Sequence, residues 1–362
     1  MRLYIKELRE EKGLTQKELA DLCHVSFQTI SKWENGINYP DITHIPRLSD
    51  IFGVSADVIL GLVPFENKDE RKRYDEVDFW ADKRDVVKVW KNLYWNDDYF
   101  NFFIKDVLGF RKAVKVLDYG CGYGFLGMKM LPVLPKGSSY TGIELDSVQI
   151  EEAEGYFSKT EYAYRFICED MYEYEPDEEY DLVVALFLIS YLPEPEKLIR
   201  KMKASLKPGG MILLMDANME VEQAGFYSGV ESQDEGMRRP DMIPLWEYEY
   251  EQKERDYRMA TKLPYMLKQE GFTGLQARIS DQVVIYEPSD PKKKKLGEML
   301  RFVYSKEDFV NEGAEYFLNR GYSRQQAEDM TAYFKRMHEY LDSKQSIAVK
   351  TSGVYFVYGR LK

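Results

Sequence analysis

From residue 113 to residue 217, short apolar runs of the sequence alternate with segments of helical spacing. The five runs are AVKVLDYG, YTGIELD, YRFICED, YDLVVALFLIS and MILLMDA. Strands separated by helices form parallel sheets, because each crossover helix covers a face of the sheet. The alternation therefore predicts an α/β fold with a doubly wound sheet that binds ligands at the carboxyl ends of its strands.

The glycine-rich stretch KVLDYGCGYGFLG fits two nucleotide-binding fingerprints. Gly122, Gly124 and Gly127 have the G-x-G-x-x-G spacing of dinucleotide-binding folds, in which a helix N-terminus binds the pyrophosphate. Counted from Asp118, the same stretch is an acid followed at alternate positions by Gly120, Gly122 and Gly124. The two interpretations imply different cofactors.

The acids at the predicted strand ends separate the two interpretations. Asp118 precedes the loop, and Glu144 and Asp170 follow at the ends of the next two strands. A carboxylate beside the loop would repel a pyrophosphate, whereas it suits the cationic amine of a methionyl group. Glycines let the backbone approach a cofactor without Cβ clashes. The sequence therefore favours S-adenosyl-L-methionine (SAM), with S-adenosyl-L-homocysteine (SAH) as the product.

The segments VLDYGCGYG, TGIELD, CEDMYEYE and YDLVVALFLISYLPEPEKLIRKMKASLKPGG resemble the motifs of class I SAM-dependent methyltransferases that act on small molecules. The resemblance implies a Rossmann-like sheet and no metal. It also implies that Glu144 binds both ribose hydroxyls, and that Asp170 and the Met171 backbone contact adenine. Leu145 and Leu186 complete the cofactor residues that it implies.

Several residues near these motifs also have purely structural interpretations. Asp118 can cap the loop, and Asp146 is better explained as a helix cap than as a second ribose ligand. Cys121 and Cys168 are predicted to be small buried fillers.

The acceptor is predicted to be a small molecule and not a DNA base. The stretch ALFLISYLP after the fourth strand lacks the [Asp/Asn/Ser]-Pro-Pro-aromatic motif with which amino-methylating DNA enzymes hold a flipped base, and no Pro-Cys nucleophile is present. Tyr191, Asp216 and His338 are the candidate catalytic bases. The aromatic and acidic stretch at 219–250 is expected to set acceptor specificity.

The rest of the sheet is expected from GLQARISDQVVIYEP as strand six and SGVYFVYGRL as the last of seven strands. A helical insertion at 288–345 lies between them and is expected to form a lid or a dimer contact. Its Lys292–Lys295 run is either a solvated helix start or a phosphate or DNA contact.

The first 62 residues predict an all-α bundle of five short helices. Thr15 and Glu18 form a capping box, and Ser26 caps the next helix. The segments LTQKELA, CHVS and TISKWENG resemble the XRE (lambda repressor-like) helix-turn-helix family.

The helix-turn-helix resemblance implies double-stranded operator DNA as a partner. The residues that it assigns to bases are Gln28, Thr29 and Lys32, and those that it assigns to phosphates are Gln16 and Asn35. It also implies a buried ion pair between Arg9 and Glu34.

Charge limits how this bundle can bind DNA. Residues 1–62 carry seven basic and nine acidic side chains, and the whole chain has a net charge of −12. Few phosphates can be neutralised by one copy, so the expectation is a homodimer on a two-fold site. The alternative is a bundle whose third helix serves protein contacts.

A polar linker and aromatic-rich helices are predicted for residues 63–112. In them Phe79, Trp80, Val87, Trp90, Leu93 and Tyr94 recur at helical spacing. These side chains are expected to pack against the sheet, or some of their rings to line a substrate pocket. The methyltransferase core is then predicted at 113–287 and 346–362.

Composition predicts a cytoplasmic protein without a membrane partner. No apolar run approaches the ~18 residues of a membrane span, and the amino-terminal segment is charged. Three cysteines without a C-x-x-C pair argue against a disulfide framework or a zinc site. The leading hypothesis is a methyltransferase joined to a transcriptional regulator domain. The alternative is a non-catalytic regulator that senses SAM or another ligand.

Overall fold

The structure is a computed structural model that describes residues 3–54, 56–60, 88, 91, 95–230, 240–252, 255–280, 282–287, 313–343, 346–351 and 353–362. The predictions for the linker, for the aromatic residues from Phe79 to Tyr94 and for Lys292–Lys295 lie outside these residues. The chain divides into two compact units, residues 1–83 and 84–362. None of the described helices is both long and apolar enough to cross a lipid bilayer.

The amino-terminal unit is a bundle of short helices. They are α1 (Ile5–Glu11), α2 (Gln16–Cys23), α3 (Phe27–Glu34), α4 (Ile45–Phe52) and α5 (Ala56–Ile59). A 3-10 turn over Ile42–His44 precedes α4. The helices share a buried core that includes Leu8, Leu19, Ile30 and Leu48.

Side-chain caps set where α2 and α3 begin. The Thr15 hydroxyl accepts the Glu18 N–H at 3.2 Å, and the Glu18 carboxylate accepts the Thr15 N–H at 2.7 Å. The Ser26 hydroxyl accepts the Thr29 N–H at 3.2 Å. Each bond satisfies a backbone donor that the first helical turn leaves unpaired, so the predicted capping box and serine cap are confirmed.

An ion pair fixes α3 against the end of α1, as predicted. Arg9 Nε lies 2.6 Å from Glu34 Oε1, and both side chains are largely buried. Arg9 also donates to the Leu14 carbonyl at 2.8 Å. Removal of one partner would leave the other charge buried alone, which typically costs about 3 to 5 kcal/mol.

The second unit contains a seven-stranded sheet and a three-stranded sheet. The strands are β1 (Lys115–Tyr119), β2 (Ser139–Glu144), β3 (Ala163–Cys168), β4 (Tyr180–Leu186), β5 (Leu206–Ala217), β6 (Phe226–Ser228), β7 (Thr273–Ile279), β8 (Val283–Tyr286), β9 (Ala348–Thr351) and β10 (Val354–Arg360). The larger sheet has the order β3-β2-β1-β4-β5-β10-β7, and only β10 runs antiparallel to its neighbours. The predicted α/β fold with seven strands is confirmed.

Helices cover both faces of the larger sheet. The described helices of the second unit are α6 (Asp97–Phe102), α7 (Phe125–Met130), α8 (Ser147–Phe157), α9 (Pro195–Ala204), α10 (Met219–Ala224), α11 (Ile243–Glu251), α12 (Met259–Gln269), α13 (Ala314–Leu318) and α14 (Arg324–Asp342). A π-helical turn over Phe103–Leu108 extends α6. Phe100, Phe125 and Phe157 belong to the core on one face, and Leu198 and Leu263 belong to the core on the other.

The smaller sheet was not predicted. Its order is β6-β9-β8, and α14 packs against it through Tyr333, Met337 and Tyr340. The stretch expected to be one sixth strand is therefore two strands in different sheets. The Ser280 N–H donates to the Val354 carbonyl at 2.9 Å, and beyond that bond the chain passes into β8. The polar residues Ser280, Asp281 and Gln282 separate the two apolar stretches, but periodicity does not tell which sheet each stretch joins.

The strand order places a ligand site at the carboxyl end of β1. The chain moves outward from β1 to β2 and β3, and then returns to the other side of β1 as β4. The loops after β1 and β4 therefore diverge, and open α/β sheets commonly bind ligands at such a switch point.

Candidate active site

The glycine loop after β1 has a backbone that other residues adopt only with strain. Gly120, Gly122 and Gly124 have φ angles of 67°, 57° and 75°. A Cβ atom on Gly120 would lie 3.0 Å from a Leu188 methyl carbon, and one on Gly122 would lie 2.9 Å from Gln149 Oε1. The loop thus needs glycine for both conformation and space.

Gly127 has a packing role that the fingerprint comparison did not reveal. It lies inside α7, and a Cβ there would lie 2.7 Å from the Tyr140 ring. The Tyr140 hydroxyl in turn donates to Asp118 Oδ2 at 2.6 Å. Gly127 therefore lets a tyrosine reach the carboxylate at the end of β1.

Asp118 is buried and only partly satisfied. Its side chain is 1% exposed, and Oδ1 accepts no hydrogen bond from the described residues. Burial raises the pKa of Asp118 to about 7, although the Tyr140 hydrogen bond and the Lys91 charge act in the opposite direction. A buried oxygen without a donor is the expected property of a ligand-binding group.

Glu144 closes the loop from the end of β2. Its carboxylate accepts the backbone N–H groups of Gly122 at 2.9 Å, Leu145 at 2.8 Å and Asp146 at 3.1 Å. Burial raises the pKa of Glu144, and these three N–H donors oppose that effect. Asp146 caps α8 by accepting the Val148 N–H at 3.0 Å, which confirms its predicted structural role.

Sequence reasoning missed Lys91 as part of this site. Its side chain is 5% exposed, and its ammonium lies 5.2 Å from the centre of the Tyr123 ring. Burial lowers the pKa of Lys91, whereas Asp118, Cys121 and Glu144 raise it. A lysine within an aromatic-rich helical pattern gave no signal of this placement.

The residues predicted to contact adenine follow β3. The Asp170 carboxylate accepts the Tyr172 N–H at 2.8 Å, and Met171 is half-buried beside it. Leu145 is also half-buried, and Leu186 is buried at the end of β4. These residues lie at or just after the carboxyl ends of β2, β3 and β4.

The two cysteines differ from each other. Cys121 is buried, as predicted, and Gly142 makes room for it because a Cβ there would lie 2.6 Å from its sulfur. The prediction that Cys168 is a buried filler is wrong, since its side chain is exposed. It ends the outermost strand of the sheet, where β2 is its only strand neighbour among the described residues.

The end of β4 has a strained backbone. Phe187 has a φ of 54°, which is uncommon for a residue that is not glycine. Its N–H donates to the Met215 carbonyl at 2.8 Å, which holds the turn against β5. Such strain commonly accompanies functional sites and directs the following residues, here a 3-10 turn over Ile189–Tyr191, toward the carboxyl edge of the sheet.

Asp216 is buried at the end of β5, and both of its carboxylate oxygens accept hydrogen bonds from neighbouring residues. Oδ1 accepts the Ser190 hydroxyl at 3.0 Å and the Ala217 N–H at 2.9 Å, and Oδ2 accepts the Ser190 N–H at 2.9 Å. Burial raises the pKa of Asp216, while these bonds and the Arg255 charge lower it. Asp216 thus anchors the turn that carries Tyr191.

Tyr191 belongs to a cluster of rings and charges. The Arg255 guanidinium lies 4.4 Å from the centre of the Tyr191 ring and 4.5 Å from that of the Tyr257 ring. The Tyr257 hydroxyl donates to the buried Glu249 at 2.6 Å, and Trp246 stacks on Tyr257 at 5.6 Å. Burial raises the pKa of Tyr191, although the Arg255 charge lowers it.

This ring cluster was only partly predicted. Trp246 and Glu249 lie in the stretch expected to set specificity, whereas nothing in the sequence singled out Arg255 or Tyr257. The third candidate base, His338, lies on α14. Other residues of α14 pack with the smaller sheet and with Leu245 of α11.

The predicted DNA-contact residues lie on or beside α2 and α3. Gln28 and Lys32 are exposed, and Thr29 is half-buried with its hydroxyl 2.8 Å from that of Ser26. The Gln16 amide donates to Glu34 at 2.6 Å, and the Asn35 amide donates to the Ser31 carbonyl at 2.7 Å. Gln16 and Asn35 are thus held by the bundle itself.

Among the residues that the structure describes, no group of three or more His, Cys, Asp or Glu side chains is placed to hold a metal ion.

Comparisons with known proteins match both units. Residues 5–59 match a family model described as helix-turn-helix, and residues 66–277 match one described as methyltransferase domain. Among curated proteins, the ubiquinone biosynthesis O-methyltransferase of Bordetella avium is 30% identical over 117 residues, 32% of this chain and 47% of that protein. The protein of the same name from Pseudomonas savastanoi is 36% identical over 107 residues, 29% of this chain and 44% of that protein. The chain therefore spans about half the length of the curated relatives that it matches.

Solved structures resemble the chain at low sequence identity. Phosphoethanolamine N-methyltransferase 2 of Haemonchus contortus, in complex with SAH, is 17% identical with a TM-score of 0.43, covering 76% of this chain and 57% of that one. The YcgJ protein of Bacillus subtilis is 13% identical with a TM-score of 0.43, covering 74% of this chain and 99% of that one. Because the methyltransferase-domain model matches more than half of the chain, the protein belongs to the methyltransferase-domain family, and it carries a helix-turn-helix domain at its amino-terminal end.

Proposed function

We propose that the protein is a SAM-dependent methyltransferase that modifies a small molecule and is joined to a domain that binds operator DNA. The observation that carries the cofactor assignment is the buried Oδ1 of Asp118, which lacks a donor among the described residues and lies beside a loop whose three glycines have positive φ angles. The curated relatives are named O-methyltransferases, which supports methyl transfer as the reaction.

The chemistry of the site fits SAM. The cofactor's ammonium would supply the donor that Asp118 Oδ1 lacks. Because Gly120 and Gly122 have no Cβ, the cofactor could lie close to the loop backbone. Glu144 would accept hydrogen bonds from the ribose hydroxyls, and Asp170 and the Met171 backbone would bind adenine. Leu145 and Leu186 are the apolar residues proposed to pack beside these groups. When bound, SAM would supply a methyl group on a positively charged sulfur.

On the acceptor side, orientation is the main contribution that the chain can make. The raised pKa of Tyr191 keeps its phenol neutral at pH 7, and each oxygen of Asp216 already accepts a hydrogen bond. These groups can hold an acceptor in line and exclude water, and such positioning alone accounts for large rate effects. Tyr191, Asp216 and His338 remain the proposed bases for an acceptor that must lose a proton.

The hydrogen bonding of Asp216 also fits a second candidate function. A regulator that only senses SAM or another ligand would need the cofactor residues but no base, and both oxygens of Asp216 already accept hydrogen bonds from described residues. Both functions require SAM or a related ligand in the glycine-loop site. They differ in turnover.

Purified full-length protein incubated with methyl-labelled SAM and a metabolite extract is expected to transfer label to a small molecule. The Gly122→Arg variant, assayed in parallel, controls for background transfer. If the protein binds SAM but transfers no label, the catalytic proposal is wrong and the sensing function takes its place.

Gly122→Arg is expected to abolish SAM binding measured by calorimetry. Its side chain would start within 3.3 Å of both Gln149 and Lys91, at a φ that arginine rarely adopts. The matched control is Gly155→Arg on α8, where a Cβ meets no atom within 4 Å. Unchanged SAM affinity in the Gly122 variant would refute the cofactor assignment, provided that circular dichroism shows both variants folded.

Asp118→Asn is expected to change stability and SAM affinity in opposite directions. The folded-state pKa of about 7 lies above the ordinary value of 3.8, so the stability from Asp118 is full below pH 3.8 and is lost as the pH rises through 7. At pH 8 the asparagine variant should therefore unfold at a higher urea concentration than the native protein, with a free energy of unfolding about 2 to 4 kcal/mol larger. This gain in stability should shrink toward pH 4.

The same variant should bind SAM about tenfold or more weakly at pH 8. Native affinity should fall below pH 7, as Asp118 gains a proton, and this pH dependence should flatten in the variant. A native affinity that does not change between pH 6 and pH 8 would contradict the role given to Asp118.

Gln28→Ala is expected to weaken binding to a selected operator by about 1 to 3 kcal/mol and to affect random DNA much less, because base contacts carry specificity. Lys32→Ala, on the same exposed helix face, is the comparison for a charge loss. Electrophoretic mobility shifts on both DNAs measure the difference. Equal losses of the Gln28 variant on both would refute α3 as the recognition helix.

A further inference from the structure

Lys91 is a buried cation without a counterion among the described residues. Its side chain is 5% exposed, and the contacts of its ammonium are with the faces of Tyr123 and Phe125, at 5.2 and 5.9 Å from the ring centres. Aromatic faces attract a cation but do not accept its hydrogen bonds as a carboxylate does. Such a burial is costly unless something pairs with the charge.

Two other lysines in this region form ion pairs with carboxylates. Lys88, which precedes Lys91 by three residues, lies 2.7 Å from Glu152, and Lys129 lies 2.8 Å from Asp97. No carboxylate of the described residues lies within ion-pair distance of Lys91. Yet Lys91 is the most buried of the three.

The position of Lys91 points to the glycine loop. A Cβ atom on Gly122 would lie 3.3 Å from its ammonium, so that nitrogen borders the loop that is proposed to receive the cofactor. The Gly122 N–H donates to Glu144, which places this part of the loop between an acid and a cation. A ligand that follows the loop meets both.

We infer that Lys91 binds the carboxylate of the cofactor's amino-acid group, while Asp118 binds its ammonium. This inference rests on the proposed function, since it names the partner of a residue at the same site. An amino-acid group carries one charge of each sign, and the site offers a buried acid and a buried lysine that are not paired with each other by any contact within 4 Å.

The test compares Lys91→Met with Lys88→Met by calorimetry, using SAM, SAH and decarboxylated SAM as three separate ligands. Lys91→Met should weaken SAM and SAH by about 10- to 100-fold, as expected for the loss of a hydrogen bond between charged groups. Decarboxylated SAM lacks only the carboxylate, so its affinity should change less than about threefold. Lys88→Met should leave all three affinities near those of the native protein.

Each other outcome contradicts the inference. Equal weakening of all three ligands would mean that Lys91 supports the loop and does not contact the carboxylate, and no weakening would mean that it lies outside the site. Lys91→Gln, which keeps a donor of similar length without the charge, repeats the comparison if the methionine variant fails to fold. Absence of SAM binding by the native protein would instead refute the proposed function, independently of Lys91.

Discussion

The hydrogen bond from Tyr140 to Asp118 is the contact on which the rest of the site depends. It holds a buried carboxylate at the end of β1 in one orientation and leaves its second oxygen available. The tyrosine reaches it only because Gly127 has no Cβ, and stacking on Phe157 fixes the ring from the other side. One residue in a helix and one in a strand thus determine what the glycine loop can bind.

The positions of the proposed cofactor residues in the fold could be predicted from sequence, because these residues lie at strand ends of one continuous segment. Asp118, Glu144 and Asp170 each follow an apolar run, and parallel strands bring such positions to one edge of the sheet. Burial, hydrogen bonding and pKa depend on long-range packing and could not be predicted. Lys91 shows this, since it reaches the loop from a segment whose pattern indicated only packing.

The residues on the proposed acceptor side of the site were harder to predict from sequence, for a physical reason. Tyr191 comes from one segment, and Arg255 and Tyr257 come from another. The Asp256 N–H donates to the Ser190 carbonyl at 2.7 Å and so joins the two segments. The smaller sheet raised the same difficulty, because β6, β8 and β9 are short strands drawn from three distant parts of the chain. Hydrophobic periodicity identifies a strand, but it does not tell which of two sheets the strand joins.

The three acids of the sheet edge differ in how many of their oxygens already accept hydrogen bonds from described residues. Asp216 and Glu144 each accept three such bonds, so both fix loops in place. Asp118 is as buried as Asp216 but keeps one oxygen without a described donor. Burial raises the pKa of all three, so pKa direction alone would not distinguish them. An incompletely satisfied carboxylate lowers the stability of the free protein at neutral pH, and a ligand cation is the group that would recover that loss.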